Sequence, residues 1–279
     1  MPTHELSSSK VAIGLSRWSR RGAICACLGC FAPALAFRAE AATPLAAAPP
    51  TALSPAPRPP FVFEQIGPGV FRHTSWSTLS DGSWFPSNSM VVVGARRVLL
   101  IDTAWTPDQT RLLLKTLAPL IDGRPMQLFV THFHADRMGG IGVTAARKIP
   151  SSAFSRTVQE AWRHSAGYIE HALRPDHHVF DLGGRTVEAF YPGPGHTVDN
   201  SVVFDRTSGI LFGGCMMRGD ATTDLGNVAD ADIPHWAGSV ARVAARYPEA
   251  VLVVPGHGPS GGREIFEHTI MLARAKTDA

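Results

Sequence analysis

The chain has 279 residues, of which 44% are hydrophobic, and this is enough for one large globular domain or two small ones. The formal net charge is +3, but residues 1–60 hold six of the 26 Lys and Arg and only two of the 23 Asp and Glu, which leaves 20 basic and 21 acidic residues in the remainder. Because the rest of the chain is nearly neutral and has no basic patch or aromatic platform, we exclude a nucleic-acid-binding protein.

Residues 1–40 have the pattern of an export signal, with cleavage expected at about residues 36–41. SRWSRR supplies the positive start, GAICACLGCFAPALAF the apolar stretch, and Ala34-Leu35-Ala36 the small-residue cleavage site. The apolar stretch is too short to span a membrane comfortably, and we expect no integral span in the mature chain. Ser19-Arg20-Arg21 fits a twin-arginine signal, although the Sec route also fits. Lipid attachment at Cys27 or Cys30 is the weaker alternative, because neither follows a convincing lipobox. The predicted location is the periplasm.

Residues 41–60 are rich in Ala and Pro and lack a periodic apolar face, so we predict a disordered spacer there. Residues 61–279 then form a single domain. Only Cys215 remains after the export signal, which excludes an intramolecular disulfide in the mature chain. The cysteine count alone favours a buried thiol over a reactive thiol or a metal ligand.

Apolar runs predict four early strands at FVFEQI, VFRHTSW, SMVVVG and RVLLID, followed by a helix over 106–120. The order then continues with a strand at MQLFV, a helix from about residue 140, a strand at SAFS and a helix around 156–169. Strands at TVEAFYPG, SVVFD and GILFGG, a helix near 232–247, a strand at VLVVPG and a final helix complete the chain. This pattern predicts an α/β protein with sheets in the middle and helices outside.

Four loops at predicted strand ends carry potential metal ligands: THFHAD, PGPGHTVDNS, GGCMMRGD and PGHGPSGG. Each alone is also typical of a glycine-rich turn with a capping His or Asp. Their coincidence at strand ends, where sites are commonly built, indicates a metal centre.

The residues of these loops divide into two sets of three ligands. His132 and His134 stand at i and i+2 of an extended segment, so they can point to one side, and His196 completes a three-histidine site with an open fourth position. The remaining ligands, Asp136, Cys215 and His257, make a second site beside the first. A thiolate ligand favours zinc over magnesium or calcium. Cys215 is therefore better explained as a zinc ligand than as a buried thiol.

From about Val70 to the C-terminus the chain resembles the metallo-β-lactamases of class B, subclass 1, and within them the Verona-type enzymes. The resemblance is carried by HFHAD at 132–136, GHTVDN at 195–200, GGC at 213–215, GNVADAD at 226–232 and PGHG at 255–258, in the family's order and spacing. It implies an αβ/βα four-layer sandwich, with two central mixed sheets and helices outside, and the same two ligand sets. It also implies zinc-dependent hydrolysis of the β-lactam amide bond in penicillins, cephalosporins and carbapenems, which confers antibiotic resistance. We expect two zinc ions per chain and a monomer.

The resemblance also implies roles for residues around the metals. Asp136 would help orient the attacking water, and Asn227 would stabilise the oxyanion, although a turn residue after Gly226 is the alternative. Arg218 would bind the substrate carboxylate where many family members carry a lysine, and a solvated surface arginine is the alternative. Here the chain departs from the Verona-type enzymes, which have a different residue at this position.

Further residues are predicted to support the site. Asp102 resembles the family's carboxylate behind the ligands, and Arg137 is expected to neutralise the second site. The stretch STLSDGSWFPSNS corresponds to the flexible loop that covers apolar substrate groups, with Trp84 and Phe85 as contacts. His177, His178 and His235 fall outside the ligand pattern, and we interpret them as surface or capping histidines.

Two other functions have to be weighed. A thioester hydrolase or lactonase of the same fold typically carries a histidine directly after the motif aspartate and a later bridging aspartate, where this chain has Arg137 and Cys215. A non-catalytic zinc-binding protein would be expected to have a closed four-ligand site.

Overall fold

The structure is a computed structural model that describes residues 57–174 and 176–278. The described residues fall within one compact unit, Leu53–Ala279. The predicted export signal and residues 41–56 of the predicted spacer lie outside the described residues. Within the described ranges, no helix combines the length and apolar character needed to cross a membrane.

The first sheet has seven strands in the spatial order of the chain. The first four strands pair antiparallel, and the pairs from the fourth strand to the seventh are parallel. Its strands are β1 (Val62–Gly67), β2 (Val70–Thr78), β3 (Trp84–Val93), β4 (Val98–Ile101), β5 (Met126–Phe129), β6 (Ser151–Phe154) and β7 (His171–Leu173).

The second sheet has five strands, and three of its four pairs are antiparallel. The parallel pair lies at one edge and joins the last two strands in the chain. Its strands are β8 (His177–Asp181), β9 (Thr186–Phe190), β10 (Val202–Asp205), β11 (Ile210–Gly214) and β12 (Leu252–Pro255). Both sheets are mixed, as the sequence predicts.

Helices cover the outer face of each sheet, which gives four layers. One apolar cluster fills the space between the sheets, for example at Phe129 and Phe212, while separate clusters lie under the helices of each side. The helices are α1 (Pro107–Ile121), α2 (Ala135–Met138), α3 (Ile141–Ala146), α4 (Ser155–Arg163), α5 (Ile233–Arg246) and α6 (Glu264–Thr277). The predicted αβ/βα sandwich is confirmed.

Local sequence explains where α1 begins and which face it buries. Thr106 is the N-cap, and its side chain accepts a hydrogen bond from the backbone N–H of Gln109 at 3.3 Å. Pro107 occupies the first helical position, where a backbone N–H would have no partner within the helix, so the proline costs no hydrogen bond. Leu113 and Leu117, four residues apart, are fully buried against the sheet. The helix connects the parallel strands β4 and β5. The carboxyl ends of these two strands, and the loops that follow them, therefore lie at the same end of the sheet.

Two element boundaries and two short strands differ from the sequence prediction. The helix predicted around 156–169 ends at Arg163, because Ser165 and Gly167 adopt positive φ angles of 52° and 138° that a helix cannot contain. The strand predicted at SMVVVG starts five residues earlier, at Trp84, so most of the predicted covering loop is a hairpin of β2 and β3. The short strands β7 and β8 were not predicted, because neither contains a continuous apolar run.

Candidate metal centre

The predicted ligands lie directly after four strand ends, at one edge of the sandwich. HFHAD follows β5, His196 follows β9, Cys215 follows β11 and His257 follows β12. The backbone N–H and the hydroxyl of Ser201 both donate to the carbonyl of Thr131 at 3.0 Å, which ties the loop after β5 to the loop after β9. One strand of the first sheet and three strands of the second thus supply one continuous site.

Three histidines form the first ligand group. One ring nitrogen each of His132, His134 and His196 can be chosen so that all three lie within 4.8 Å of one another. Nδ1 of His134 is 3.1 Å from Nε2 of His196, and Nε2 of His132 is buried without a hydrogen-bond partner among the described residues. Ligands at zinc–nitrogen distances of about 2.0–2.1 Å in a tetrahedron are roughly 3.3 Å apart, so the three imidazoles fit a zinc ion with an open fourth position.

Asp136, Cys215 and His257 form the second group. The Cys215 Sγ atom is 3.4 Å from Oδ2 of Asp136 and 3.2 Å from Nε2 of His257, and Asp136 Oδ2 is 3.5 Å from the same nitrogen. A Cβ at Gly256 would lie 2.7 Å from Cys215 Sγ, so the approach of β12 to β11 requires glycine there. One thiolate, one imidazole and one carboxylate at these separations fit a second zinc ion with an open position.

Burial favours the neutral form of His132, His196 and His257. Desolvation lowers the pKa of His196 to about 3 and that of His257 to about 4, and it holds the pKa of His132 well below its usual value. Neighbouring histidines lower the pKa values of His132 and His196 further. Neutral imidazole is the form that binds metal, so the site is prepared for a cation at neutral pH.

The Arg137 guanidinium sets the charge balance of the second group. It is fully buried, its Nη2 atom lies 2.7 Å from Oδ2 of Asp136, and the same nitrogen donates to Cys215 Sγ at 3.0 Å. Burial opposes ionisation of Asp136, but Arg137 and the imidazoles of His257, His132 and His196 together outweigh it and hold the pKa of that carboxyl well below its usual range. Burial raises the pKa of the Cys215 thiol, so Cys215 needs the charge of a bound cation to become the thiolate ligand.

Groups behind the ligands fix their orientation. Nδ1 of His257 lies 2.6 Å from the Pro86 carbonyl oxygen, which leaves Nε2 to face Cys215. Nε2 of His134 lies 2.9 Å from Oδ2 of Asp230, which leaves Nδ1 to face His196. Asp230 belongs to the GNVADAD motif but was not predicted individually, because nothing in the sequence spacing brings it next to His134.

Asp102 supports the loop that carries the first ligands. Its carboxylate accepts the backbone N–H of Thr131 at 2.7 Å and the Thr131 hydroxyl at 2.8 Å, and Oδ2 is 3.5 Å from Nη1 of Arg137. Desolvation raises the pKa of Asp102 to about 7, although Arg137 partly compensates. Asp102 has a positive φ of 58°, a left-handed conformation that aspartate and asparagine adopt more readily than other residues with a side chain.

A cavity of about 300 Å³ opens over both ligand groups. Phe85 and Trp105 form an apolar wall against His257, with ring centroids 4.8 Å and 6.1 Å from its imidazole. Phe85 lies where the sequence predicted a substrate contact, whereas Trp84 is not among the described lining residues and neighbouring residues of a strand point to opposite faces. The cavity is lined by Leu79, Phe85, Trp105, His134, Ala135, Asp136, His196, Cys215, Arg218, Gly226, Asn227 and His257.

Arg218 and Asn227 both line the cavity. The Arg218 side chain is largely buried, and its Nε atom donates to the carbonyl of Asp224 at 3.0 Å. Desolvation lowers the pKa of Arg218 from its ordinary value. Oδ1 of Asn227 accepts the backbone N–H of Ala229 at 3.1 Å, so this residue is part of a turn as well as of the cavity wall.

The three other histidines noted in the sequence have partners away from the cavity. His177 Nε2 is 3.2 Å from a Glu188 oxygen, and His178 stacks edge-on against Phe180. His235 pairs with Asp232, the N-cap of α5, at 2.7 Å.

Residues 82–257 match the family model described as the metallo-beta-lactamase superfamily, and this range contains both ligand groups. The chain belongs to this superfamily. A metallo-beta-lactamase type 2 of Bacillus cereus is 37% identical over 212 residues, covering 75% of this chain and 81% of that protein. A metallo-beta-lactamase type 2 of Bacteroides fragilis is 33% identical over 205 residues, with coverage of 74% and 82%.

Solved structures of metallo-β-lactamases have the same fold. FIM-1 from Pseudomonas aeruginosa, in its mono-zinc form, superposes with a TM-score of 0.72 at 35% identity, covering 81% of this chain and 100% of that one. TMB-1 superposes with a TM-score of 0.74 at 32% identity, covering 78% and 99%. The resemblance to metallo-β-lactamases seen in the sequence is confirmed, and the chain is a zinc-dependent β-lactam hydrolase.

Proposed function

We propose that this metallo-β-lactamase opens the lactam ring of penicillins, cephalosporins and carbapenems with two zinc ions, one held by each ligand group. The observation that carries the proposal is the pair of adjacent groups, three histidines in one and Asp136, Cys215 and His257 in the other, that share one open cavity. His132, His134 and His196 would hold the first ion, and Asp136, Cys215 and His257 the second. When bound, a pair of zinc ions supplies Lewis acidity and lowers the pKa of water toward about 7.

The protein's own residues then orient the reactants. The Asp136 carboxylate borders both ligand groups, since its Oδ2 atom faces Cys215 and His257 while His132 lies close by, and it would orient the attacking water. The Asn227 turn commits Oδ1 to Ala229, so the side-chain NH₂ is the group that would donate to the oxyanion. Hydrolysis adds water across the amide bond, and the lactam nitrogen leaves with a proton.

The apolar wall of the cavity would receive apolar groups of the substrate. Phe85 and Trp105 meet edge-on with ring centroids 6.4 Å apart, and Leu79 lies at the hairpin tip beside them. At the tip, Asp81 accepts hydrogen bonds from the backbone N–H and hydroxyl of Ser83 at 2.9 Å and 2.6 Å. These bonds favour a preformed turn, which reduces the entropy lost when a substrate binds.

Arg218 would anchor the carboxylate on the fused ring of bicyclic β-lactams. A guanidinium can form two parallel hydrogen bonds to a carboxylate, and Arg218 already lines the cavity, near enough to Cys215 and His257 to interact electrostatically with both. Its nearest acid, Asp224, lies 3.6 Å away and is mostly exposed, so this pair competes weakly with a substrate carboxylate.

Arg218→Ala is expected to raise KM for substrates with this carboxylate while kcat changes little, which is the result for a contact that contributes equally in the ground and transition states. A lost charge-assisted hydrogen bond is worth about 1.5–3 kcal/mol, which at the upper end is about a hundredfold in KM. Arg218→Lys is the matched control, since it keeps the charge, and should raise KM less. If KM in Arg218→Ala stays within about twofold of the parent on several substrates, the anchor lies elsewhere.

A panel of substrates separates this proposal from other activities of the same fold. We expect the purified protein to turn over a penicillin, a cephalosporin and a carbapenem, and to leave a lactone and a thioester almost untouched. Arg137 and Cys215 support this expectation, since they occupy places where thioester hydrolases and lactonases carry other residues. Preferential turnover of the lactone or thioester would overturn the proposal, and zinc binding without turnover of any substrate would indicate a zinc-binding protein instead.

We also propose that the chain is exported to the periplasm and acts there as a monomer. The motifs of residues 1–40 support export by the Sec or twin-arginine route. Fractionation of cells that express the full chain, with N-terminal sequencing of the product, tests this proposal, and a product that retains residues 1–35 would contradict cleavage near residues 36–41.

A further inference from the structure

Asp199, in the GHTVDN segment, is a buried carboxylate that the roles above do not use. It is fully buried, and its Oδ2 atom accepts the backbone N–H of Phe133 at 3.1 Å. Phe133 stands between His132 and His134 in the chain. The hydrogen bond therefore fixes the peptide that sets the orientation of two metal ligands relative to each other.

The position of Asp199 is itself well defined. Its backbone carbonyl accepts the Thr157 hydroxyl of α4 at 3.3 Å. The next residue, Asn200, accepts the backbone N–H of Thr197 at 3.1 Å and donates to the Gly193 carbonyl at 2.9 Å. One loop, fixed by these hydrogen bonds, thus supplies both the third ligand, His196, and the carboxylate that binds the backbone between His132 and His134.

The charge of Asp199 has no balancing cation among the described residues, where it forms no ion pair. Oδ1 makes no direct hydrogen bond there, although the hydroxyls of Thr197 and Thr157 lie near enough to favour the ionised form. Desolvation outweighs the effect of these hydroxyls and raises the pKa of Asp199 to about 6. A buried carboxylate is expected to have a charged partner, and a dication among the three histidines next to Phe133 would be one.

We propose that Asp199 is a positioning residue of the first zinc site, which holds the peptide between His132 and His134 and balances part of the charge of the bound ion. The inference rests on the proposed dinuclear centre. Asp102 differs, because it holds Thr131 and also lies 3.5 Å from the Arg137 guanidinium of the second group. Loss of Asp199 should therefore affect the first site selectively.

The test uses the full chain and two substitutions at this position. Asp199→Ala removes the acceptor and the charge, whereas Asp199→Asn keeps an acceptor but loses the charge. Asp205→Asn is the matched control, because Asp205 is equally buried but pairs with Arg185 at 2.6 Å on a part of β10 remote from the ligand loops. A general loss of stability should appear in the control as well.

Cobalt and zinc titrations separate the two sites without an activity measurement. Only the second group contains a thiolate, so its cobalt form has a sulfur-to-metal absorption that the first site lacks. Loss of a partner behind a metal ligand typically costs about 10–100-fold in metal affinity, and we expect a first-site loss of that size in Asp199→Ala. Asp199→Asn should lose less, and the second-site affinity of both variants should match the control.

Two results would overturn the inference in whichever variant folds: a first-site affinity within about twofold of the parent, or equal losses at both sites. If the parent chain itself binds fewer than two ions, the dinuclear proposal fails, and this outcome is distinct from a failure of Asp199 alone.

Discussion

Arg137→Ala is expected to lower the free energy of unfolding by about 3–5 kcal/mol, the usual cost of removing one partner from a buried ion pair. Arg137 is completely buried, and it contacts Asp136 at 2.7 Å, Asp102 at 3.5 Å and the Asn88 carbonyl at 2.5 Å. Its removal leaves two buried carboxylates without their cation and a buried carbonyl without a donor. Chemical denaturation of the metal-free protein measures this loss without a contribution from zinc.

Arg96→Ala is the control for that experiment. Arg96 also pairs with an aspartate, Asp181, at 2.7 Å, but both side chains are about two-thirds exposed, at 69% and 67%. Water screens such a pair, so we expect almost no change in stability. Equal, small losses in the two variants would mean that Arg137 does not balance the charge of the second ligand group.

Cys215→Ser is expected to abolish tight binding at the second zinc site while the three-histidine site keeps its metal. A serine hydroxyl is a much poorer zinc ligand than a thiolate, because it is hard and scarcely acidic. The affinity loss should exceed the roughly 10–100-fold typical of a lost supporting group, because a direct ligand is removed. Lactam turnover should also fall, because the cation of the second site would stabilise the negative charge on the departing lactam nitrogen.

Two further variants show whether this effect belongs to one ligand group. His257→Ala removes a ligand of the same group and should reproduce the stoichiometry of Cys215→Ser. His196→Ala removes a ligand of the other group and should leave the cobalt–thiolate absorption in place. Unchanged zinc stoichiometry and turnover in Cys215→Ser would show that the thiol is only a buried side chain.

The layered fold, and the position of the candidate ligands after strand ends, could be predicted from the sequence because both depend on local patterns. Apolar runs indicate the strands, and the ligands stand within a few residues of the strand ends, so the approximate position of His132 or Cys215 follows once the sheets are assumed. Boundaries without such a pattern were missed. The start of β3 at Trp84 is one example, because WFPSNS contains a proline and polar residues that are not typical of a strand.

Contacts between distant segments could not be predicted in the same way. Asp230 reaches His134 across 96 positions of the chain, and Trp105 joins Phe85 only because β2, β3 and the loop after β4 meet at one edge. Asp199 has the same explanation, since its bond to Phe133 links loops from different sheets. Sequence spacing carries no information on such pairs when a single sequence is read.

The most direct test of the central claim is imipenem hydrolysis by the purified chain as zinc is removed and returned. We predict that dialysis against a chelator abolishes turnover, that full turnover returns as zinc is added up to two ions per chain, and that the metal-free protein keeps its secondary structure. Turnover that survives complete removal of the metal, or full activity at one firmly bound zinc with no further change at saturating metal, would contradict the account.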